Sequence, residues 1–292
     1  MIQYNPKDWL TFIFRFHKSD TFRKLWPMIM VIMAYAALIA FLENTYWKWD
    51  ETNNIRNISL MYSLLGFVIS LLLVFRTNTA YDRWWEGRKL WGSLINNSRN
   101  LALKLNAFLP KNEIQIRLFY KTAIPQYSIA LKNHLRAEST RLELDENVHE
   151  EFNNIDHDKH VPNQLASILF QKTNSLYAAG KISGEQLIVV NNELQSFTDI
   201  CGSCERIKNT PIPYSYSAFL KKFIFFYVMT LPWGYVYNLG YVVIPVVGFI
   251  FYVLASLELI AEEIEDPFGT DTNDLPMARI CENIEKQVKE LL

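Results

Sequence analysis

Residues 58–75 read ISLMYSLLGFVISLLLVF and end directly before Arg76. No Asp, Glu, Lys, Arg or His occurs within this stretch. As an α-helix that rises 1.5 Å per residue, roughly 18 residues extend about 27 Å, which is close to the hydrocarbon thickness of a bilayer. The stretch therefore predicts a membrane-spanning helix.

Three further apolar blocks lie on either side of this one. Residues 25–42, LWPMIMVIMAYAALIAFL, also contain no charge; the alternative is a long buried helix of a soluble protein, which rarely extends so far without a charge. Residues 223–239 and 241–259 meet at the short YNLGY sequence, residues 237–241. They are predicted to form an antiparallel helical hairpin. Pro232 and Pro245 are compatible with membrane helices when neighbouring helices satisfy the freed carbonyls.

The distribution of Lys and Arg predicts the orientation of these spans. The loop at residues 43–57 has only Lys48 and Arg56, whereas the opposite side is rich in basic residues: Arg15, Lys18, Arg23, Lys24, Arg76, Arg83, Arg88, Lys89, Lys221 and Lys222. The positive-inside rule then places both termini in the cytosol. We expect a multi-pass protein of the cell inner membrane. Trp47 and Trp49 would lie at the outer interface and Trp26 and Trp84 near the inner one.

The predicted organisation is all-α. It consists of a cytosolic N-terminal segment (1–24), the first two transmembrane helices (25–75), a cytosolic helical domain (76–219), the third and fourth transmembrane helices (220–262), and an acidic segment with a C-terminal cytosolic helix (263–292). Apolar residues at helical spacing predict that the second span continues as a helix over 87–108. Further helices are predicted at 113–137, 162–179 and 184–208, and the tail, ARICENIEKQVKELL, is amphipathic.

Composition and motifs exclude several classes of function. The net charge is −1 without a long basic run, which argues against nucleic acid as a partner, and three cysteines do not make a disulfide framework. The common phosphate-binding, hydrolase and metalloprotease motifs are absent, so an enzyme is not expected. His157, His160, Cys201 and Cys204 would supply four zinc ligands, but a solvated loop and two buried thiols are the favoured interpretation.

An acidic stretch, LELIAEEIEDPFGTDTNDLP, follows the fourth span at residues 257–276. Carbonyls and carboxylates around its helix-breaking Pro267, Gly269 and Pro276 are suitable ligands for a hard cation such as calcium. The favoured alternative is that Asp271 or Asp274 caps the next helix. In that alternative the glutamates face the cytosol or pair with basic residues after the second span, namely Arg76, Arg83 and Arg88.

The second span carries an apolar stripe. Phe67, Leu71 and Phe75 are each four residues apart and share one helix face. Such a stripe ordinarily packs against a neighbouring span. However, no span carries a charged residue near its middle, where a carrier or pump keeps a coupling residue. Four spans are too few to enclose a pore alone, and in an oligomer this stripe would form a hydrophobic constriction.

Three separated motifs then resemble the bestrophin family, particularly its bacterial branch. They are RTNTAYDRWWEGRKLWG at 76–92, CERIKNTPIPYSYS at 204–217 and IEDPFGTDTNDLP at 264–276. The resemblance implies a homopentamer with a central pore whose neck is lined by Phe67, Leu71 and Phe75. It also implies a cytosolic aperture at Glu185, with Ile182 and Leu187 as neighbours.

The resemblance also bears on the ions. In the animal branch of the family, calcium binds to a clasp in the acidic stretch after the fourth span. The resemblance implies that the matching positions here are Glu263, Asp266, Asp271 and Asp274. Bacterial members resemble sodium-favouring channels without that calcium dependence. We therefore expect a channel for monovalent ions, with cations such as sodium favoured over chloride and no required cofactor. The alternatives are an anion channel of the same family, a membrane-anchored signalling or binding protein, and a membrane enzyme that uses the acidic cluster.

Overall fold

The computed structural model describes residues 21–47, 58–137, 152 and 155–292, and the regular structure in these ranges is helical. The helices are α1 (Thr21–Leu42), α2 (Ile58–Phe108), α3 (Ile114–Arg136), α4 (Val161–Ala178), α5 (Gly184–Asn209), α6 (Tyr214–Leu239), α7 (Val243–Glu265) and α8 (Met277–Leu291). A π-helical turn, Glu43–Trp47, extends α1, and a 3-10 turn, Gly240–Val242, joins α6 to α7. The all-helical prediction is confirmed.

Three continuous helical stretches of the described chain are long and apolar enough to cross a membrane: Thr21–Trp47, Met61–Phe108 and Tyr214–Glu265. The third is interrupted at Gly240, which has a φ of 51° that suits glycine far better than other residues. It therefore forms two helices, and the four predicted spans are present. Trp49, Arg15, Lys18, Lys48 and Arg56 of the orientation argument lie outside the described residues.

The chain divides into two compact units. We call residues up to Arg83 together with Pro211–Glu265 the span unit, and Trp84–Thr210 together with Asp266–Leu292 the polar helical unit. These divisions differ from the expected domain limits at 75/76, 219/220 and 262/263. The differences arise because α2 and α7 continue as helices beyond their apolar segments, so the charged residues at their ends remain packed in the span unit.

Within the span unit, α1, α6, α7 and the first part of α2 share one apolar core. Close approach depends on small residues: a Cβ at Gly248 of α7 would lie 2.7 Å from Met33 Cγ of α1. Tyr62 of α2 donates to the Thr230 carbonyl of α6 at 2.9 Å. Pro245 lies in the first turn of α7, where no intrahelical hydrogen bond is lost.

The polar helical unit contains a second core, formed by the later part of α2 with α3, α4, α5 and α8. Leu94, Leu101 and Leu105 of α2 are fully buried there, so the predicted helix over 87–108 is confirmed as part of a single 51-residue helix. Tyr127 of α3 donates to the Phe197 carbonyl of α5 at 2.7 Å. The predicted helices at 113–137, 162–179 and 184–208 are likewise confirmed as α3, α4 and α5.

Candidate functional site

The first part of α2 has one buried face and one exposed face. Ile69 and Leu73 are 0% and 1% exposed because they face the core of the span unit. Phe67, Leu71 and Phe75 are 68%, 44% and 57% exposed in the single chain. At 3.6 residues per turn these two sets lie on roughly opposite sides of the helix. Among the described residues, the stripe is therefore turned away from the core of its own span unit.

Three hydroxyl groups in the first part of α2 are satisfied within the helix. Ser70, Thr77 and Thr79 each donate to the carbonyl four residues earlier, at 2.7, 2.9 and 2.9 Å. These internal bonds let polar side chains lie in an apolar environment without a partner from another helix. The helix can thus present its apolar stripe while these three hydroxyls stay bonded.

Arg76 follows the stripe directly, yet its side chain is buried within the span unit. Its guanidinium forms ion pairs with Glu265 at 2.7 Å and Glu258 at 3.5 Å. Arg83 donates to the Glu265 carbonyl at 3.0 Å, and the Ile212 amide donates to the Glu265 carboxylate at 2.6 Å. The predicted pairing of these glutamates with Arg76 is confirmed. Consequently Arg76 adds no unpaired positive charge beside Phe75.

The other acidic residues at the end of α7 are also paired in the span unit. Glu263 accepts from Lys24 of α1 at 2.5 Å and is itself buried, and Glu262 pairs with Lys221 at 2.9 Å. A carboxylate that already has a lysine partner has less capacity to bind a further cation. Glu263 of the expected calcium clasp therefore has a structural partner on another helix.

The remaining acidic residues of the expected clasp lie in a tight loop of the polar helical unit. Asp274 is 3% exposed and accepts the Asp271 amide at 2.7 Å, while Asp266 accepts the Phe268 amide at 3.3 Å. A Cβ at Gly269 would lie 2.6 Å from Asp274 Oδ2, so a larger residue there would displace the Asp274 carboxylate. Helix α8 begins after Pro276 without a side-chain cap. The alternative that Asp271 or Asp274 caps this helix is therefore wrong, because the Asp274 carboxylate holds the loop instead.

Two of the three sequence motifs contact each other in this loop. The Trp84 indole donates to the Asn273 carbonyl at 3.1 Å. A Cβ at Gly87 would lie 3.2 Å from the ring of Phe268 and 3.2 Å from Pro267. The RWWEG and DPFG sequences are thus parts of one packed structure.

The start of α5 carries Glu185, the residue expected at the cytosolic aperture. Ser183 caps the helix in a capping box with Gln186, with hydrogen bonds of 3.3 and 2.9 Å. Glu185 is exposed, and a 2.6 Å hydrogen bond from the Ser183 hydroxyl lowers the pKa of its carboxyl. Ile182 is buried and Leu187 is half-buried, so both pack towards the interior of the polar helical unit.

Ile188 is an exposed residue of this helix that sequence reasoning missed. It is 65% exposed and lies three residues after Glu185, which places the two side chains on one face of α5. An isoleucine three residues after an exposed glutamate, in the first turns of a predicted helix, was a usable sequence signal for an exposed apolar residue. Glu185 and Ile188 thus form an exposed patch in the first turns of α5.

The cysteines are buried and free. Burial, with a smaller effect of the Glu205 charge, raises the pKa of Cys201 to about 12, and burial also raises the pKa of Cys204. Because a thiolate is the metal-binding form, these thiols are poor ligands at neutral pH. The favoured interpretation of two buried thiols is confirmed.

These features define a polytopic helical membrane protein in which one apolar helix face is exposed in the single chain. The family model described as bacterial/fungal bestrophin protein matches residues 1–290. The chain belongs to the bestrophin family.

Two relatives are each named voltage-dependent anion channel-forming protein. One from Nostoc sp. is 37% identical over 232 residues, which cover 77% of this chain and 75% of the relative. Another, from Synechocystis sp., is 30% identical and covers 99% of this chain and 93% of the relative. These proteins support an ion channel rather than an enzyme.

The fold is similar to that of a solved bacterial bestrophin homologue from Klebsiella pneumoniae, whose crystal structure was determined by Zn-SAD phasing. The TM-score is 0.78 at 28% identity, and the match covers 90% of this chain and 96% of that chain. A second crystal structure, of a single-residue variant described as a membrane protein, matches with a TM-score of 0.80 at 27% identity. That match covers 91% of this chain and 98% of the other.

Proposed function

We propose that this protein forms a homopentameric channel for small monovalent ions, with Phe67, Leu71 and Phe75 as its neck. The observation that carries the proposal is the apolar stripe of α2, which is exposed on the face opposite to the core of its own span unit. Around a symmetry axis, such stripes form a narrow apolar ring that controls ion passage by its diameter and wetting.

The sign of the permeant charge is a separate part of the proposal. The sequence favours sodium, but the names of the relatives favour an anion, and we place chloride first. An apolar neck selects neither sign, and Arg76 after it is already paired with Glu258 and Glu265. Exposed Glu185 favours the cation alternative, because a ring of carboxylates attracts cations.

Replacement of Leu71 by alanine tests the neck. We expect Leu71→Ala to widen the constriction and to raise single-channel conductance, because the shorter side chain enlarges the apolar ring. Conductance in planar bilayers and ion flux from liposomes measure the effect. Purified protein should carry ions without any added substrate, whereas a membrane-anchored binding protein should not.

Leu73→Ala is the matched control, because Leu73 is 1% exposed and lies on the buried face of the same helix. It should cost about 2–5 kcal/mol of stability through the cavity that it creates, with conductance unchanged. Equal conductance for wild type and Leu71→Ala would remove Leu71 from the neck.

Replacement of Glu185 by glutamine tests the sign of the charge that the aperture prefers. If Glu185 faces the ion path, Glu185→Gln should shift the reversal potential in a sodium chloride gradient towards greater anion preference. Glu113→Gln is a control, because Glu113 already pairs with Lys181 at 2.8 Å. Identical reversal potentials for wild type and Glu185→Gln would exclude this residue from the aperture.

Calcium binding by Glu263, Asp266, Asp271 and Asp274 stays a weaker proposal. Four carboxylates close together in sequence support it. Two observations argue against it: Glu263 already pairs with Lys24, and the Asp274 carboxylate already accepts the Asp271 amide. Titration calorimetry with calcium would end the proposal if no heat were observed.

We also propose that the protein lies in the cell inner membrane with both termini in the cytosol. The excess of Lys and Arg on one side of the spans supports this orientation. Labelling of cysteines introduced at positions 3 and 290 should require disruption of the inner membrane, and labelling in intact spheroplasts would contradict the orientation.

A further inference from the structure

Two histidines and a glutamate from three different elements meet in the polar helical unit. His134 lies in the last turn of α3, His160 directly precedes α4, and Glu205 lies on α5. Both histidine Nε2 atoms lie 2.6 Å from the same oxygen, Glu205 Oε1. Residues so far apart in sequence meet only because the three helices pack together.

Neighbouring contacts hold these side chains in place. Lys208 of α5 donates to the Leu135 carbonyl, which fixes the end of α3 beside α5. The Gln164 side chain makes two hydrogen bonds with the Asp156 backbone, at 2.9 and 2.8 Å, and so ties the turn before His160 to α4. The cluster is therefore a built arrangement and not a chance meeting of mobile side chains.

The two imidazole rings both approach the Glu205 carboxylate. Burial raises the pKa of Glu205, but the hydrogen bonds from His160 and His134 outweigh it, and the net shift of the pKa is downward. The imidazole rings lie with centroids 4.3 Å apart and converge on one point.

We propose that His134, His160 and Glu205 bind a divalent transition-metal ion of the zinc type. Two imidazole nitrogens and one carboxylate oxygen match the preferences of zinc, cobalt and nickel, whereas calcium prefers oxygen ligands alone. All three ligand atoms lie within 4.8 Å of one another. Around tetrahedral zinc they would be about 3.3 Å apart, so only small side-chain rotations are needed.

Exposure of the three side chains permits entry of the ion. They are 33%, 31% and 29% exposed, so solvent reaches them from one side. Water can therefore complete a coordination sphere to which the protein contributes three ligands. The metal would link the end of α3, the start of α4 and the C-terminal part of α5.

Metal binding has a specific consequence for the start of α4. Without metal, His160 Nδ1 accepts the Asn163 amide at 3.1 Å, so the ring proton is on Nε2 and is donated to Glu205. Coordination through Nε2 moves this proton to Nδ1, which can then no longer accept the Asn163 amide. Zinc should therefore tighten the three-helix cluster while releasing one cap hydrogen bond of α4.

The test uses the full-length chain without a purification tag, treated with chelator and then titrated with zinc chloride by calorimetry. We expect one zinc ion per chain. His160→Asn should weaken binding by at least about tenfold to a hundredfold, because it removes a ligand. Asparagine is among the best N-cap residues, so this variant keeps the helix start intact. Glu205→Gln should weaken binding as well.

His157→Asn is the control, because His157 is exposed and lies outside the cluster. Its zinc affinity should equal that of the wild type.

Hydrogen exchange should show faster exchange of the Asn163 amide on addition of zinc. The proposal is overturned if titration of the folded wild-type protein with zinc gives no heat of binding, or if His160→Asn binds zinc as tightly as the wild type. Since these readouts do not use ion flux, they are independent of the proposed channel function.

Discussion

At the scale of single residues, Arg76 shows how charge is arranged next to the apolar stripe. Its side chain is 1% exposed and is surrounded by Glu258 and Glu265. A buried charge without a partner is strongly destabilising, whereas a buried pair is tolerated when its geometry is good. The charge therefore terminates the apolar part of α2 without facing the stripe.

Removal of this arginine should be costly. We expect Arg76→Met to lower the stability of the span unit by about 3–5 kcal/mol, because it leaves two glutamates without their cationic partner. Thermal unfolding in detergent measures the loss. Arg88→Met, at an exposed position of the same helix, should have little effect.

A second substitution makes this prediction more specific. Addition of Glu258→Gln to Arg76→Met should restore part of the stability, since it removes one of the unpaired charges. A melting temperature of Arg76→Met equal to that of the wild type would contradict the assignment of a buried ion pair.

At the scale of elements, the start of α5 depends on one capping residue. Ser183 and Gln186 satisfy each other's backbone amides in a capping box, and the first turn that they stabilise carries Glu185 and Leu187. Two amides at a helix start would otherwise need water as partner. The position of the expected aperture therefore depends on a local sequence signal.

Loss of this cap should destabilise α5. Ser183→Ala removes one half of the capping box and should cost about 1 kcal/mol. Thermal unfolding of the purified protein is the measurement. Thr198→Ala, in the same helix, is the matched comparison, because its hydroxyl donates to the Gln195 carbonyl and caps no helix end. If both variants melt at the same temperature, the cap does not stabilise the helix start.

At the scale of the whole molecule, the described part of a single chain exposes a large apolar surface. Phe226 and Phe249 of the last two membrane helices are 63% and 66% exposed, in addition to the α2 stripe. Lipid can cover part of this surface, and other copies of the chain can cover the rest. Because one α2 face cannot enclose a pore, the proposed channel needs several copies around an axis.

Five copies are expected from the family resemblance. Class averages of detergent-purified particles should show fivefold symmetry, and the mass of the protein component should be five times 34.2 kDa. A different rotational symmetry would correct the subunit number alone. Monomeric particles that conduct ions would contradict the oligomeric pore itself.

The sequence by itself determined the four spans, the long helix that continues beyond Phe75, and the helices α3, α4 and α5. These features depend on local patterns: apolar runs as long as a bilayer is thick, and apolar residues at helical spacing. The family also follows from three local motifs. The helix cap expected at Asp271 or Asp274 was not determined in this way, because loop carboxylates can bond to the helix start or to the loop.

Only the tertiary structure decided which partners each side chain meets. Lys24 pairs with Glu263, although 239 residues separate them in sequence. The Arg76 side chain is buried and pairs with Glu265. His160 lies beside His134 and Glu205 rather than Cys201. No local pattern encodes such pairs, because they depend on the packing of helices that are distant in sequence. For the same reason, only packing showed that the α2 stripe lies opposite the buried face of its own helix.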